Sequence, residues 1–202
     1  MKKVSLAVSI FILSCGAAHA DNTGWYAGIN AGASRTGMSG GDINGALANN
    51  GVPGASTTLH TTDKSVGLEI GNRMSNNFGV EAALLSLGQF KYEATSPSGA
   101  VNGKYKARAA SIAAVGFIPF TPNWSFYGKG GVHYNTVDFS ASTHAGNTES
   151  RTGWLAGLGV RYDFDGSLYT RFGWDHYAKV GQNGSTGGGS IEVLGLSLGM
   201  RF

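Results

Sequence analysis

The sequence predicts an all-β fold, an eight-stranded antiparallel up-and-down transmembrane β-barrel. Three observations predict it: an alternating final segment, eight such segments along the chain, and aromatic residues on one strand face. The final twelve residues place apolar side chains on one parity, namely Leu194, Leu196, Leu198, Met200 and Phe202. The other parity carries Val193, Gly195, Ser197, Gly199 and Arg201. Because successive side chains of a strand point to opposite faces, this strand has one face suited to lipid and one compact face suited to a barrel interior.

Eight alternating segments follow one another along the chain. They cover residues 24–34, 63–72, 78–92, 104–120, 124–139, 151–164, 167–180 and 189–202. Short connections of turn-forming residues at 73–77, 121–123 and Asp165-Gly166 alternate with longer polar connections, of which the longest covers about 35–62. Short turns alternating with long loops on an even strand count are typical of outer-membrane barrels, and the pattern predicts no helix between strands.

Aromatic residues distinguish a membrane barrel from a soluble up-and-down barrel, which is the alternative. Ten aromatic side chains fall on the outward parity near strand ends: Trp25, Phe78, Trp124, Phe126, Tyr134, Trp154, Tyr162, Phe172, Trp174 and Phe202. A soluble barrel does not require aromatics there, whereas an interfacial girdle does. Glycine is abundant, with 33 of 202 residues, and proline is rare, which favours packed strands over disorder.

The N-terminus predicts a secretory signal peptide over residues 1–20. A positively charged start, an apolar run over residues 4–13 and the cleavage site Ala18-His19-Ala20 follow in order. The alternative is a lipoprotein signal around Cys15, whose preceding residues fit that motif poorly. Cleavage leaves one barrel domain over residues 21–202, which is exported without any cysteine for a disulfide.

Charge and hydropathy exclude two classes of protein. Without Lys2 and Lys3, 13 basic and 12 acidic residues remain, scattered with no basic run, so we expect no nucleic-acid partner. Beyond the signal peptide, no apolar stretch approaches the roughly 20 residues that a membrane helix requires. A membrane-spanning chain of this kind must therefore form a closed barrel, in which every backbone polar group is paired.

Short motifs in a fixed order resemble the transmembrane domain of the OmpA family over nearly the whole mature chain. In chain order they are Gly24-Trp-Tyr26, Phe78-Gly-Val-Glu81, Leu87-Gly88, Tyr105-Lys-Ala107, Ala156-Gly-Leu-Gly-Val-Arg-Tyr162, Thr170-Arg-Phe172 and Leu196-Ser-Leu-Gly199. Each motif alone is weak, but their order and spacing together are specific.

The resemblance implies an integral protein of the outer membrane with both termini in the periplasm and the long loops outside the cell. Many family members continue into a peptidoglycan-binding domain, whereas this sequence ends at Phe202, so we expect that domain to be lacking. Small neisserial surface proteins and OmpX-like adhesins then become equally good relatives. The implied role is structural or surface-exposed: envelope integrity, adhesion or host interaction through the loops.

The parity opposite the aromatic girdle carries charged residues: Glu69, Glu81, Lys129, Arg161 and Arg171. Eight strands enclose a space just wide enough for side chains to fill, and charges buried there must be paired. The family resemblance implies that Glu81 and Arg171 meet in the lumen. It also implies that Arg161 replaces a family acid and that a family lysine is lost near Ala114. We expect a salt-bridged plug, and the alternative is a small low-conductance porin.

We expect no enzymatic activity, although some eight-stranded barrels modify lipid A. The candidate residues are His133, His144, His176 and Asp175. A hydrolase needs a nucleophile, a base and an acid within reach of one another. Asp175 and His176 point to opposite faces, and His133 has no obvious serine partner on a neighbouring strand. Scattered histidines without cysteine offer no metal-ligand spacing, and we expect neither metal nor cofactor.

The expected partners follow from the membrane setting. Outer-membrane lipid and lipopolysaccharide would surround the barrel, and the barrel assembly machinery would insert it. The resemblance implies that this machinery reads the terminal aromatic Phe202, so Phe202→Asp should impair folding far more than Phe120→Asp. Long loops on a rigid barrel are also the natural place for host surface ligands. We expect a monomer.

Overall fold

The computed structural model of the protein describes residues 23–97, 99–142, 144–164, 167–182 and 186–202. The elements of this part are, in chain order, β1 (Gly24–Thr36), α1 (Gly40–Asn49), β2 (Ser56–Leu59), β3 (Thr62–Arg73), β4 (Phe78–Ser96), β5 (Gly99–Pro119), β6 (Trp124–Ala141), β7 (His144–Asp163), β8 (Leu168–Gln182) and β9 (Gly187–Arg201). The predicted signal peptide, which includes Cys15, and the predicted turn at Asp165-Gly166 lie outside the described residues.

The strands pair antiparallel and close into a ring with eight strand positions. β1 pairs with β3 on one side and with β9 on the other, and each strand from β3 onward pairs with the next. β2 and β3 both pair with β4 and are separated only by His60 and Thr61, so they share one position in the ring. The prediction of an eight-stranded antiparallel barrel is confirmed.

The first long connection contains the helix α1, so the expectation of no helix between strands was wrong. α1 begins at a capping box, in which Ser39 N donates to Asp42 Oδ2 at 2.8 Å and Asp42 N donates to Ser39 Oγ at 3.4 Å. Ile43, Ala46 and Leu47 are buried on one face of the helix. A helix of 10 residues is marginal by itself. Burial of this face against the strands, which the local sequence does not show, therefore stabilises it.

Several strands extend beyond the predicted bounds at the end with the long connections. β4 continues to Ser96 and β5 begins at Gly99, where a long polar loop was expected. A β-bulge lies between Ser86 and Gly88, and it reverses which parity of β4 faces inward beyond that point. Odd-numbered side chains of β4 face inward before the bulge, whereas the even-numbered Phe90 is fully buried after it.

Apolar side chains form a continuous exposed band around the outside of the ring. Seven of the predicted girdle aromatics are 41–56% exposed: Trp25, Phe78, Trp124, Phe126, Tyr134, Trp154 and Phe172. The other three, Tyr162, Trp174 and Phe202, are partly exposed. On β6 the band runs from Trp124 to Tyr134, and about ten residue steps of about 3.3 Å at a tilt of about 40° give about 25 Å. This height is the one expected of the lipid-facing belt of an outer-membrane barrel.

The interior divides into two zones. The charged zone lies toward the short turns at 74–77 and 120–123 and consists of Tyr26, Glu69, Arg73, Glu81, Lys129, Arg161, Asp163, Tyr169, Arg171 and Asp175. The apolar zone lies toward the long hairpins and is one buried cluster that includes Met38, Ile43, Ala46, Leu47, Leu87, Phe90, Tyr92, Tyr105, Val137, Phe139, Tyr177 and Ile191. Four of its members come from α1 and the residues just before it.

Glycines in the wall of the charged zone leave space for large inward rings. A Cβ atom at Gly71 would collide with the Tyr26 ring, and one at Gly199 would collide with the Tyr169 ring. The two tyrosine rings meet edge to face, with 5.7 Å between their centroids. The close approach of each ring to a neighbouring strand therefore explains the glycine at that position.

Candidate functional site

Arg171 lies at the centre of the charged zone and joins two carboxylates. Its Nη1 donates to Glu81 Oε2 at 2.8 Å, and its Nη2 donates to Glu69 Oε1. Arg171 lies on β8, whereas Glu69 and Glu81 lie on β3 and β4, so both contacts cross the lumen. The three side chains are only 2–3% exposed. Each buried charge therefore has an opposite charge at hydrogen-bonding distance, as low-dielectric surroundings require.

The same two carboxylates accept further hydrogen bonds from uncharged donors. Tyr26 Oη donates to Glu81 Oε2 at 2.9 Å, and Tyr169 Oη donates to Glu69 Oε1 at 2.8 Å. Asn30 Nδ2 donates to Glu69 Oε2 at 2.6 Å. These donors satisfy carboxylate lone pairs that the arginine does not reach.

Lys129 connects the cluster to a third carboxylate. Its Nζ lies 2.9 Å from Asp175 Oδ2 and 3.5 Å from Glu81 Oε1. Lys129 belongs to β6, which pairs with the β5 segment around Ala114 where the family lysine is missing. The neighbouring strand thus supplies the second cation of this cluster.

A second ion-pair group lies nearer the short turns. Arg161 donates to Asp163 Oδ1 from both Nε, at 3.0 Å, and Nη2, at 2.7 Å. Arg73 and Arg201 each approach the same carboxylate at 3.8 Å. The Arg161 guanidinium also lies 3.9 Å from the centroid of the Tyr169 ring, a distance at which cation–π attraction is effective.

All five predicted interior charges face the lumen, but they belong to two groups. Glu69, Glu81, Lys129 and Arg171 form one connected cluster, whereas Arg161 pairs in the second group. Sequence reasoning did not assign the partners Tyr26, Arg73, Asp163, Tyr169, Asp175 and Arg201. Their inward parity is readable from the alternation. The alternation also indicates that Asp163 lies near Arg161, two residues away on the same face of β7. The other contacts are not readable, because these depend on strand register and on the curvature of the wall.

His133 faces inward, and Ser111 lies directly opposite it on β5, contrary to the expectation of no serine on a neighbouring strand. The strand register, which the sequence leaves open, creates this neighbour. The ring nitrogens contact other groups: Nε2 lies 2.9 Å from Ala178 O, and Nδ1 lies 3.5 Å from Asn135 Nδ2. The side chain of His144, another candidate, is not among those the structure describes.

Asp175 and His176 point to opposite faces of β8. Asp175 contacts Lys129 inside the barrel. His176 lies on the outer wall beside Trp154 and Trp174, with ring centroids 5.3 and 5.9 Å away. The two residues therefore do not combine into an acid–base pair.

The described part of the chain contains no group of three or more His, Cys, Asp or Glu side chains that could hold a metal ion. Nor does that part contain a helix long and apolar enough to cross a membrane.

The apolar zone fills the other end of the interior. Leu47 of α1 belongs to the same buried cluster as Leu87 and Ile191 on the strands. The Tyr92 ring stacks on Phe139 at 5.3 Å. Burial above the membrane-facing band raises the pKa of Tyr92 to about 12.

A closed ring of eight strands, with a lipid-facing apolar band and a charged, side-chain-filled interior, defines an integral outer-membrane β-barrel protein. The chain belongs to the family of the OmpA-like transmembrane domain, whose model matches residues 19–202. The resemblance carried by the sequence motifs is thereby confirmed. No curated protein matches the chain significantly.

Several solved structures have a similar fold. Neisserial surface protein A has a TM-score of 0.59 and 12% identity, and the match covers 93% of this chain and 100% of that one. OprG from Pseudomonas aeruginosa has a TM-score of 0.55 and 14% identity, with 89% and 97% covered. Ail, the attachment invasion locus protein of Yersinia pestis, was solved with the heparin analogue sucrose octasulfate. It has a TM-score of 0.50 and 14% identity, with 89% and 99% covered.

Proposed function

We propose that the protein is a structural and surface component of the outer membrane whose lumen is closed to solutes. The contact that carries the proposal is the bridge from Arg171 to Glu69 and Glu81, in which all three side chains are buried. β8 and β4 lie on opposite sides of the ring. An ion-pair plug between them would hold the walls together and obstruct passage.

The free space beside the cluster supports a closed lumen. A cavity of about 30 Å³ is lined by Asn30, Lys129, Arg171 and Asp175, among others. A cavity of this size has room for only about two or three water molecules. The apolar zone and α1 occupy the space farther along the barrel axis, so a sugar would need both zones to rearrange.

Planar-bilayer recording of the folded mature barrel tests this proposal. We expect no conductance step that depends on sugars or amino acids. Arg171→Ala/Glu81→Ala, which removes the central pair, should increase leak, whereas Arg35→Ala on the outer wall should not. A stable wild-type pore that passes such solutes would refute the closed lumen and support the alternative of a small low-conductance porin.

The surface role requires the long hairpins outside the cell and both termini in the periplasm. Ail, which shares the fold, binds a heparin analogue in its solved complex, and this supports host surface ligands as a partner class. A deletion strain scored in parallel for envelope leakiness and for binding to host cells separates the two roles. Loss of binding without leakage would indicate adhesion, and the converse would indicate envelope integrity.

Phe202 would serve as the assembly signal. Its backbone N donates to Trp25 O at 2.8 Å, so the last residue pairs with the first strand at the seam of the ring. Phe202→Asp should lower the heat-modifiable, folded fraction in outer membranes. Phe120→Asp is the control, because Phe120 is also an exposed aromatic, at 51%, but lies in a turn. Equal folding of the two variants would contradict the role.

Catalysis has no part in this proposal, and modification of lipid A is the less favoured alternative. Lys129 engages Asp175, and Ala178 O and Asn135 contact the His133 ring, so these groups serve as partners within the wall. Mass spectrometry of lipid A from cells with and without the protein should show identical species. A deacylated product that requires the protein and disappears with Ser111→Ala would identify an enzyme.

A further inference from the structure

We infer that a phosphorylated lipid of the outer leaflet, of the lipid A type, docks on the outer wall formed by β4, β5 and β6. Its phosphates would contact a column of basic side chains, and an acyl chain would occupy the groove beside that column. The inference rests on the proposed orientation, which places the long hairpins on the outer-leaflet side.

The basic column lies on the outward face of β5. Lys104, Lys106 and Arg108 occupy alternate positions of this strand and therefore share one face. Lys91 of β4 lies directly opposite Lys104. Like charges directly opposite each other destabilise a sheet, so a bound phosphate between the two ammonium groups would relieve their repulsion. None of the four forms an ion pair with a described carboxylate.

Two carboxylates share this face without neutralising the column. Asp138 lies opposite Lys106 and offsets one of the four positive charges, and its Oδ1 also accepts a hydrogen bond from Thr148 Oγ1 at 2.9 Å. Glu93 lies opposite Asn102, a neutral residue. The basic side chains therefore outnumber the acidic ones on this wall.

The other side of the ring offers a comparison. Arg35 on the outer wall of β1 lies directly opposite Glu192 of β9, so a basic residue there has an acidic neighbour. Lys104 and Arg108, by contrast, have no acidic residue directly opposite them: Lys104 faces Lys91 and Ser140, and Arg108 faces Ser86 and Thr136.

A groove of about 420 Å³ lies directly beside Arg108. Its lining includes two directly opposed rows across β4, β5 and β6, Leu84–Ala110–Tyr134 and Ser86–Arg108–Thr136. Leu84 and Tyr134 are 57% and 56% exposed and project as walls. The small Ala110 between them forms the floor, so the groove has the width of one side-chain position.

The level of the site on the barrel identifies the kind of ligand. Tyr134 is the last girdle aromatic on β6, and interfacial tyrosines mark the boundary between hydrocarbon and headgroups. Arg108 lies one row farther out, about 7 Å along the strand. Lipid phosphates lie at this level, where basic residues attract anionic headgroups. A free phosphate would match the column alone, whereas a phosphorylated lipid matches both the column and the groove.

Binding of bis-phosphorylated, hexa-acylated lipid A to the folded mature barrel in zwitterionic micelles tests the site. Lys106→Ser/Arg108→Ser should weaken binding at least about tenfold, because charge-assisted hydrogen bonds to phosphate are lost. Arg35→Ser/Lys179→Ser removes the same charge from other exposed positions and should leave the affinity within about twofold. Equal binding by the wild type and the column variant would overturn the proposal.

Ala110→Leu tests the groove separately from the charge. The added bulk should weaken binding of hexa-acylated lipid A but not of its fully deacylated, bis-phosphorylated sugar. Ala114→Leu is the matched control, since Ala114 lies on the same outward face of β5 outside the groove. If Ala110→Leu left the binding of lipid A unchanged, the proposed acyl-chain contact would be overturned.

Three further probes distinguish a phosphorylated lipid from a free anion and from a sulfated glycan. Dephosphorylated lipid A should bind the wild type and Lys106→Ser/Arg108→Ser equally. Inorganic phosphate that competes as well as lipid A would overturn the lipid in favour of a free anion. A heparin fragment bound more tightly than lipid A at the same residues would overturn it in favour of a sulfated glycan.

Two controls separate failure of the site from failure of folding or orientation. Heat-modifiable mobility verifies that each variant is folded. Thr95→Cys, on the exposed face of β4, should react with a membrane-impermeant maleimide on intact cells. Absence of labelling would refute the proposed orientation and with it outer-leaflet docking, whereas the micelle titration reports the binding site independently of orientation.

Discussion

The charged zone and the apolar zone occupy the same barrel, yet the polarity of the wall is reversed between them. On β4, Leu84 is 57% exposed on the outside while Glu81 is buried inside. Farther along the same strand, Lys91 is exposed outside while Tyr92 is buried inside. The strand is thus apolar outside and polar inside at one end, and the opposite at the other.

The solvent on the outer face explains this reversal. Lipid against the outer face requires apolar side chains there, so the interior must be held by directional ion pairs and hydrogen bonds. Water against the outer face of the hairpins requires polar side chains there, and the hydrophobic effect then drives apolar side chains inward. α1 covers this second interior as a helix covers one face of a soluble sheet. The protein therefore has two kinds of core, a charged one inside the lipid-facing part and an apolar one inside the hairpins.

The largest effect should come from Arg171→Leu in the charged zone. It leaves both Glu69 and Glu81 without their main partner, and breaking a buried pair costs about 3–5 kcal/mol of unfolding free energy. Urea unfolding in lipid vesicles measures the loss. Arg35→Leu, an exposed change on the outer wall, is the control, and an equal loss in both variants would show that the zone is not held by these pairs.

A double-mutant cycle sharpens this result. Glu81→Leu alone should cost less than Arg171→Leu, because Arg171 retains Glu69 and Lys129 retains Asp175. The double variant should recover part of the summed loss, since it removes both members of the pair. Recovery should be incomplete because Glu69 remains unpaired. Strictly additive losses would exclude coupling between Arg171 and Glu81.

Leu47→Ala tests the apolar zone. Truncating a buried leucine costs about 2–5 kcal/mol, and here the loss should fall on the docking of α1. Hydrogen exchange of the α1 amides should accelerate, while urea unfolding of the barrel changes little. Ala48→Ser on the exposed side of the helix is the control. A barrel destabilised as strongly as by Arg171→Leu would show that the two zones unfold as one unit.

Gly71→Ala should have an intermediate effect on the charged zone. The added Cβ collides with the Tyr26 ring, whose hydroxyl binds Glu81, and overpacking of this kind costs about 1–3 kcal/mol. Gly130→Ala is the control, because a Cβ there meets nothing within 4 Å. Similar urea midpoints for both variants would contradict the tight fit of the tyrosine.

The smallest effect should be a gain in the apolar zone from Gly45→Ala. Gly45 lies within α1 and a Cβ there meets nothing within 4 Å. Alanine should slow exchange of the helix amides by stabilising α1 by about 0.5–1 kcal/mol. Gly99→Ala has equal space but a φ of +118°, so it should instead destabilise its hairpin. If Gly45→Ala left the exchange of the helix amides unchanged, the stability of α1 would depend on its packing against the strands and not on helix propensity.

The number of strands can be read from the sequence alone, as can the lipid-facing aromatics and the inward parity of all five predicted charges. These features follow from a two-residue period, which is a local property that every strand carries in its own residues. The membrane makes this alternation clearer, because side chains that face lipid must be apolar wherever the strand crosses the bilayer.

Which residues meet depends on how the strands assemble into the ring. The pairing of Arg171 with Glu69, the position of Ser111 opposite His133, and the docking of α1 depend on register, bulges and ring curvature. The bulge between Ser86 and Gly88 reverses the inward parity within β4, so one alternation does not describe the whole strand. Such relations join residues far apart in the chain, so no local period records them. The sequence therefore specifies which face each residue takes, whereas closure of the ring specifies its partner.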